Sequence, residues 1–395
     1  MFKIVHTADF HIDPACIYLT EEQQQQRKQD FLNAFNQVID YCINEKPDAL
    51  IISGDFYDKN LPRNSPRKDV ILKIKELTTY TDTRIFIVTG NHDCSKSIKD
   101  TISPIETLKA LDHVTIFESS DSYDKAVLQK DGKTLGIYGK SFSGMKPGKN
   151  PIENLPKCEE DYGIVLIHGH LREAMPVYDN DCQYAPFSME DCKGKGFDYF
   201  ALGHIHKFGL KSNNESVFCY PGSTEHYSFT EESQEKGFVV LELDDDFTEK
   251  NVMFIPLKTR KMKTVNVEFT PKILDINQQI LSSVNNIVDR ELLVRVNLIG
   301  EVLFDVYRNY KRNDVAVSLD ERFFGVQINN ELTIKDPDTS YDFGALKTNS
   351  PVDEFKSYMN KRIVQCEKEG NTEQAEILRD AITVGEKVLF EKVER

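Results

Sequence analysis

Residues 199–206 read Tyr-Phe-Ala-Leu-Gly-His-Ile-His, an apolar, β-prone run that ends on a glycine and a pair of histidines. The same pattern recurs upstream. Asp9-Phe10-His11 follows FKIVHTA, Gly54-Asp55-Phe56-Tyr57-Asp58 follows ALIIS, Gly90-Asn91-His92-Asp93 follows RIFIVT, and His168-Gly169-His170 follows GIVLI. Each run predicts a strand, and each motif marks its carboxyl end, which is where open α/β sheets form their ligand crevices. Six of the nine histidines lie in these motifs. Read alone, each has an ordinary explanation: a strand-to-loop turn at Gly54-Asp55, a polar turn at Gly90–Asp93 because Asn and Asp tolerate positive φ, a solvent-facing pair at His204 and His206. Their recurrence at five strand ends in one chain points instead to a centre that holds two metal ions and hydrolyses a phosphate ester.

The residue types fit that chemistry. Two divalent ions about 3.5–4 Å apart need a bridging anion, and Asp55 is the expected bridge because Gly54 lets the backbone turn tightly above its strand. Asp9 and His11, two apart on an extended segment, point the same way and can share an ion. His204 and His206 have the same spacing and can serve one ion apiece. Asn91 offers a neutral oxygen, and His168 and His170 compete for one role. Imidazole, carboxylate and amide donors together suit Mn, Fe or Zn better than Ca or Mg. His92, beside a ligand yet freer to move, is expected to protonate the leaving group or steady the transition state of an in-line displacement. His6, His113 and His226 lie outside these motifs and read as structural or surface residues, with His226 expected near the cleft.

The order D-x-H, GD-x-x-D, GNHD, H, GH-x-H resembles the calcineurin-like metallophosphoesterase superfamily. Within it, MFKIVHTADFHID, DYFALGHIHK and YPGSTEHYSF are similar to the DNA-repair exonucleases of the SbcD type, and YAPFSMEDCKGKGFDYFALGHIH to a bacterial subgroup related to them. The likeness covers residues 1–258 well and the remainder only in layout. It implies one ion held by Asp9, His11, Asp55 and His206, and a second held by Asp55, Asn91, His168 and His204. His168 is preferred to His170 because it follows its apolar strand directly. One position departs from the best-known nucleases, which carry a histidine where this chain has Asp58. In the related phosphatases an aspartate there buttresses the catalytic histidine, so Asp58 is expected to orient His92. The resemblance further implies a Mn²⁺-dependent nuclease that cuts DNA in 3′→5′ exonuclease and single-strand endonuclease modes during double-strand-break repair. It would work as a homodimer with an SbcC-type, SMC-like ATPase partner. A phosphatase or small-molecule phosphodiesterase with the same dinuclear centre is the alternative.

With 395 residues the chain is long enough for one large domain and one or two small ones. No apolar run reaches transmembrane length, and MFKIVHTADF lacks the charged n-region and cleavage site of a leader, so the mature chain is expected to begin there. Eight cysteines without a C-x-x-C pair suggest reduced thiols and a cytoplasmic protein. The net charge of −15 is unusual for a DNA enzyme, although metal ligands contribute to it and a partner can supply positive surface.

A helical stripe (Phe31, Ala34, Phe35, Val38, Ile39, Cys42) predicts a helix over 21–43, and Val70, Ile71, Ile74 and Leu77 predict a second. From Val114 the runs VTIF, KAVLQ, TLGIYG, SVFCY, GFVVLEL and NVMFIPL read as strands. The expected architecture is α/β, a four-layer α/β/β/α sandwich of two mixed sheets, with a small α+β capping domain and C-terminal helices. The nuclease domain would span 1–258, the capping domain 263–335, a linker 336–350, and a helical pair 351–395 that binds the ATPase. Phe355, Met359, Ile363 and Cys366 mark the first of these helices, and Ala375, Leu378, Ala381, Ile382, Val388 and Leu389 the second. Lys258, Arg260, Lys261, Lys263, Arg308, Lys311 and Arg312 are candidate DNA-backbone contacts, with His170 as a further substrate-binding candidate.

Overall fold

The computed structural model describes residues 1–93, 103–142, 149–174 and 184–335, together with separate residues between 358 and 382. In chain order the elements are β1 (Phe2–Thr7), α1 (Glu21–Glu45), β2 (Ala49–Ser53), α2 (Asn64–Tyr80), β3 (Arg84–Val88), β4 (Val114–Phe117), β5 (Asp124–Lys130), β6 (Lys133–Lys140) and β7 (Tyr162–His168). There follow β8 (His170–Leu171), β9 (Pro186–Phe187), β10 (Tyr199–Gly203), β11 (Gly209–Ser212), β12 (Val217–Tyr220), β13 (Gly237–Leu243) and β14 (Val252–Pro256). The remainder comprises β15 (Met262–Phe269), α3 (Ile276–Ser283), β16 (Asp289–Leu303), α4 (Phe304–Tyr307), α5 (Arg312–Asp320) and β17 (Phe323–Lys335).

Two six-stranded sheets carry the fold, in the orders β14-β13-β1-β2-β3-β4 and β11-β12-β10-β7-β6-β5. Each has a parallel centre. β1 to β4 run parallel in the first sheet, with β13 and β14 antiparallel at one edge. β6, β7, β10 and β12 run parallel in the second, with antiparallel strands at both edges. The period-2 alternation of a strand decides which side chain enters which layer. Phe2, Ile4, Ala49, Ile51, Phe86 and Val88 of the first sheet meet Leu135, Ile137, Ile164, Leu166, Tyr199 and Ala201 of the second in one buried core. Their neighbours Val5, Leu50, Ile52, Ile85 and Ile87 face outward and pack under α1 and α2.

The α1 stripe read from the sequence is the face that is buried there. The helix starts at a Thr20–Gln23 capping box, which satisfies backbone donors its first turn would otherwise leave open. The outer face of the second sheet is covered as well. Val165, Ile167, Phe200 and Leu202 are covered by Ile152, Leu155, Phe187, Cys192 and Phe197. Among the described residues these covering side chains come from turns, a short strand and a single 3-10 turn rather than an α-helix. The apolar outer face needs cover, and bulky side chains on irregular segments supply it.

A third sheet has the order β15-β16-β17. By density of internal contact the chain forms two compact units. The first is Met1–Glu268, Asn277–Ile299 and Lys311–Glu331, and the second is Phe269–Ile276, Gly300–Tyr310 and Leu332–Arg395. In the second unit, Ile363 and Cys366 are buried against Leu378 and Ile382, joining residues of the two expected C-terminal helices. The expected linker at 336–350 lies outside the described residues, as do Phe355, Ala375, Val388 and Leu389. No helix among the described residues is long and apolar enough to cross a membrane. Cys16, Cys42, Cys158, Cys192, Cys219 and Cys366 are free.

Candidate dinuclear metal centre

The five motifs converge on one place because β1, β2 and β3 end there from one sheet and β7 and β10 from the other. The loops after β1 and β2 are fastened together. Asp9 N–H donates to the Gly54 carbonyl at 3.1 Å, His11 N–H to that of Asp55 at 3.0 Å, and Asp58 N–H to that of Ile12 at 3.0 Å. Asp9 (φ 51°), His11 (φ 45°), Asp55 (φ 49°) and His204 (φ 104°) all have positive φ. Left-handed backbone at a non-glycine residue costs on the order of 1–3 kcal/mol and gathers at functional sites. Gly54 is required for closeness as well as for its φ of 88°, since a Cβ there would stand 2.6 Å from His168 Nδ1. A Cβ on Gly90 would overlap the Asp55 carboxylate.

Three groups of donor atoms lie within 4.8 Å of one another: Asp9, His11 and His206; Asp9, Asp55 and His168; and His11, Asp55 and His92. His11 Nε2 faces His206 Nε2 at 3.0 Å. Asp55 Oδ2 stands 3.3 Å from His168 Nε2 and 3.8 Å from His11 Nε2, and so belongs to two of the three groups. His168 Nδ1 lies 2.9 Å from the Ser53 carbonyl, which can only accept. Nδ1 therefore carries a ring proton, and Nε2 faces Asn91 Oδ1 at 3.0 Å. Carboxylate, imidazole and amide donors that converge in this way fit a cation, so this donor set suits the two ions the motifs imply.

The electrostatics agree. Burial pushes the Asp55 carboxyl up, but the imidazoles of His168, His11 and His92 outweigh it and hold the group well below the usual carboxylate range. Burial pushes His168 down, yet the Asp55 and Asp9 carboxylates draw it up to about 9. Burial raises Asp9. A field that pulls a proton onto a buried imidazole attracts a divalent cation for the same reason.

A family model described as calcineurin-like phosphoesterase matches residues 2–208, the span that contains every one of these motifs. The chain belongs to the calcineurin-like phosphoesterase family. Among curated proteins this phosphoesterase is similar to the DNA double-strand break repair protein Mre11 of Saccharolobus solfataricus, with 28% identity over 290 residues, 71% of each chain. It is similar to the SbcD component of the nuclease SbcCD of Staphylococcus epidermidis, with 23% identity over 359 residues, 81% of this chain and 90% of that one. It also resembles YhaO of Bacillus subtilis, described as an uncharacterized metallophosphoesterase, with 26% identity over 242 residues, 60% of this chain and 56% of that one.

In this phosphoesterase not every expected residue stands where the sequence suggested. His204 lies at the site, but its ring leans on Tyr184 at 4.9 Å and His168 at 5.4 Å, and it is its backbone N–H that reaches Asp9, at 3.1 Å. Among the described residues its ring is outside the three donor groups. His92 meets Asp58 through the backbone carbonyl, 2.8 Å from Nδ1, while the Asp58 carboxylate is 3.9 Å away and closer to His11 Nδ1, at 3.4 Å. His170 is buried, its Nε2 without a hydrogen-bond partner among the described residues.

Arg260, expected on the DNA backbone, is mostly buried. It pairs with Asp30 at 2.6 Å and Glu291 at 2.9 Å, and its guanidinium lies 3.6 Å from the Phe324 ring centre. Two carboxylates therefore already pair with its charge. Lys258, Lys261 and Lys263 are exposed. Arg308 pairs with Asp305 at 3.5 Å, Lys311 lies 4.0 Å from Asp314, and Arg312 donates to the Ile328 carbonyl at 3.2 Å.

Four residues at the site had no role in the sequence reading. Asp93 accepts from the backbone N–H groups of Phe56, Tyr57 and Gly90, at 2.8, 2.8 and 3.2 Å, and so ties the second motif to the third. Burial and the Asp55 charge push its carboxyl up to about 7. Its place in Gly90–Asp93 was the available signal. Tyr227 lies 4.7 Å from the His11 ring and is hydrogen-bonded to Asp58. Glu231 and Lys236 stand behind His206. Nothing in the local pattern of SFTEESQEK marks them, because their partner is distant in sequence.

Proposed function

We propose that this phosphoesterase is a DNA nuclease of double-strand-break repair, working with two Mn²⁺ ions in 3′→5′ exonuclease and single-strand endonuclease modes. It acts as a homodimer with an SbcC-type, SMC-like ATPase. The observation that carries hydrolysis is Asp55 Oδ2, set between His168 and His11 at 3.3 and 3.8 Å. The choice of DNA is supported by relatives named as a nuclease and as a repair protein. One of them is matched over 359 residues, well beyond the family span of 2–208.

Asp9, His11, Asp55 and His206 would hold one ion, and Asp55, Asn91, His168 and His204 the second, with the His204 backbone N–H fixing the Asp9 carboxylate. A bound pair supplies Lewis acidity and a nucleophile at neutral pH. The chain's own residues do the rest. The His92 N–H fixes Asp55 Oδ1 at 2.8 Å, and the His92 ring is a third exposed. With Nδ1 directed at the Asp58 carbonyl, Nε2 is the atom that carries a proton to the leaving oxygen.

The charge of −15 and the neutralised Arg260 favour a second reading, a phosphatase or small-molecule phosphodiesterase with the same centre. Purified protein with Mn²⁺ decides between them on end-labelled duplex and single-stranded DNA and on bis(p-nitrophenyl) phosphate. The nuclease reading requires the DNA to be cut, with the cut lost on chelation. Hydrolysis of the small diester while DNA stays intact would establish the second reading.

A further inference from the structure

Behind His206 lies a buried ion pair that the hydrolytic chemistry does not use. His206 Nδ1 is 3.0 Å from Glu231 Oε1. The other oxygen, Oε2, is 2.6 Å from Lys236 Nζ and accepts the Tyr227 N–H at 3.0 Å. The Lys236 side chain is fully buried, and its ammonium also donates to the His206 carbonyl, Ser223 Oγ and Gln234 Oε1, each at 2.9 Å. Lys236 thus holds His206 twice, directly by its backbone and through Glu231 by its ring.

Stability alone is a poor reason for such a pair. Desolvating an ammonium and a carboxylate costs several kcal/mol each, and apolar packing often serves a core as well or better. Geometry offers a reason. The carboxylate can only accept, so it holds the ring proton on Nδ1 and leaves Nε2 bare, facing His11 Nε2 at 3.0 Å within the Asp9–His11–His206 donor group.

We propose that the buried Glu231–Lys236 pair is the positioning device of His206, fixing the imidazole in its metal-binding tautomer and setting the affinity of the ion on that side of the centre. The inference rests on the dinuclear reading of the site. Neither residue touches substrate; both act through His206.

Substitution of Glu231 by Gln separates this role from a merely structural one. Beside the Lys236 ammonium the amide oxygen turns to Lys236 and its NH₂ turns to His206 Nδ1. The ring proton is then driven to Nε2, where the ion binds. Glu231→Asp keeps a carboxylate, which can only accept, and so keeps the ring proton on Nδ1.

Calorimetric titration of metal-free protein with Mn²⁺ should show two ions on the wild type. In E231Q one ion should bind about 10–100-fold more weakly while the other is unchanged, the usual size of such an outer-layer effect. E231D should keep most of the wild-type affinity, because an acceptor-only carboxylate still faces Nδ1. Wild-type affinity for both ions in E231Q, or the same loss in E231D as in E231Q, overturns the proposal. If E231Q does not fold, the double variant E231Q/K236M, which leaves no unpaired buried charge and in which the Tyr227 N–H still holds the amide oxygen away from Nδ1, is decisive: loss of one ion supports the device and two tightly held ions refute it. A wild-type protein that binds fewer than two ions removes the dinuclear reading itself, and the inference with it.

Discussion

His92 and Asp55 lie 37 residues apart and are joined by one hydrogen bond, 2.8 Å from the His92 N–H to Asp55 Oδ1. The backbone of one catalytic candidate therefore steadies the carboxylate of another, and their side chains do different work. His92→Ala keeps that backbone donor, so both ions should stay bound while the chemical step slows by roughly 10²–10⁴-fold, the usual contribution of a positioned acid. Metal content that falls along with activity would make His92 a ligand instead. Asp55→Asn keeps the shape and removes the charge facing both His168 and His11. Hydrolysis should vanish and one ion should bind weakly; elemental analysis returning two firmly held ions would contradict the bridging role. Asp9, His11 and Asp55 could be read as candidates from strand-end position alone, where His168 and His170 still competed. The way Asp58 meets His92 could not, because a backbone carbonyl carries no residue signature.

At the scale of elements, continuous apolar β-prone runs foretold the central strands, which are buried on both faces, and 3.6-residue stripes foretold α1 and α2, which bury one. α5 escaped: Arg312–Asp320 buries only Val315 and Leu319, too little to make a stripe. Polar links between layers escape in the same way. His6 of β1 reaches across to Tyr199 of β10 at 2.9 Å and to Ser53 of β2 at 2.8 Å, wholly buried. Burial pushes this imidazole down to about 3, against about 6.5 in an unfolded chain. Between those values the unfolded chain binds the extra proton, so stability is complete above the unfolded value and falls with pH through this window. Protonation costs the folded state on the order of 4 kcal/mol at the acid end. His6→Gln should lose clearly less stability than wild type between pH 7.5 and pH 5 in denaturant titrations. Equal losses would place the acid sensitivity elsewhere.

For the molecule as a whole, the C-terminal segment bears on the proposed partnership. Ile363 and Cys366 pack on Leu378 and Ile382, while Tyr358 and Val364 are left exposed. Two short helices have little core of their own, and an amphipathic pair suits helix-in-groove binding to a partner. Deleting 351–395 should leave Mn²⁺-dependent hydrolysis intact and abolish co-purification with the ATPase. A truncated protein that unfolds or loses basal activity would assign the helices to the enzyme's own core. By itself the sequence determined the two-sheet α/β class and the five strand ends that bear the motifs, because apolar β-prone runs and residue type are local properties of the chain. Only the tertiary structure decided that, among the described residues, side chains from turns and a short strand cover the outer face of the second sheet, that Arg260 is neutralised by Asp30 and Glu291, and that Glu231 and Lys236 stand behind His206. Those outcomes depend on groups brought together from distant parts of the chain, where burial sets the strength of each charge and no spacing along the sequence records the meeting.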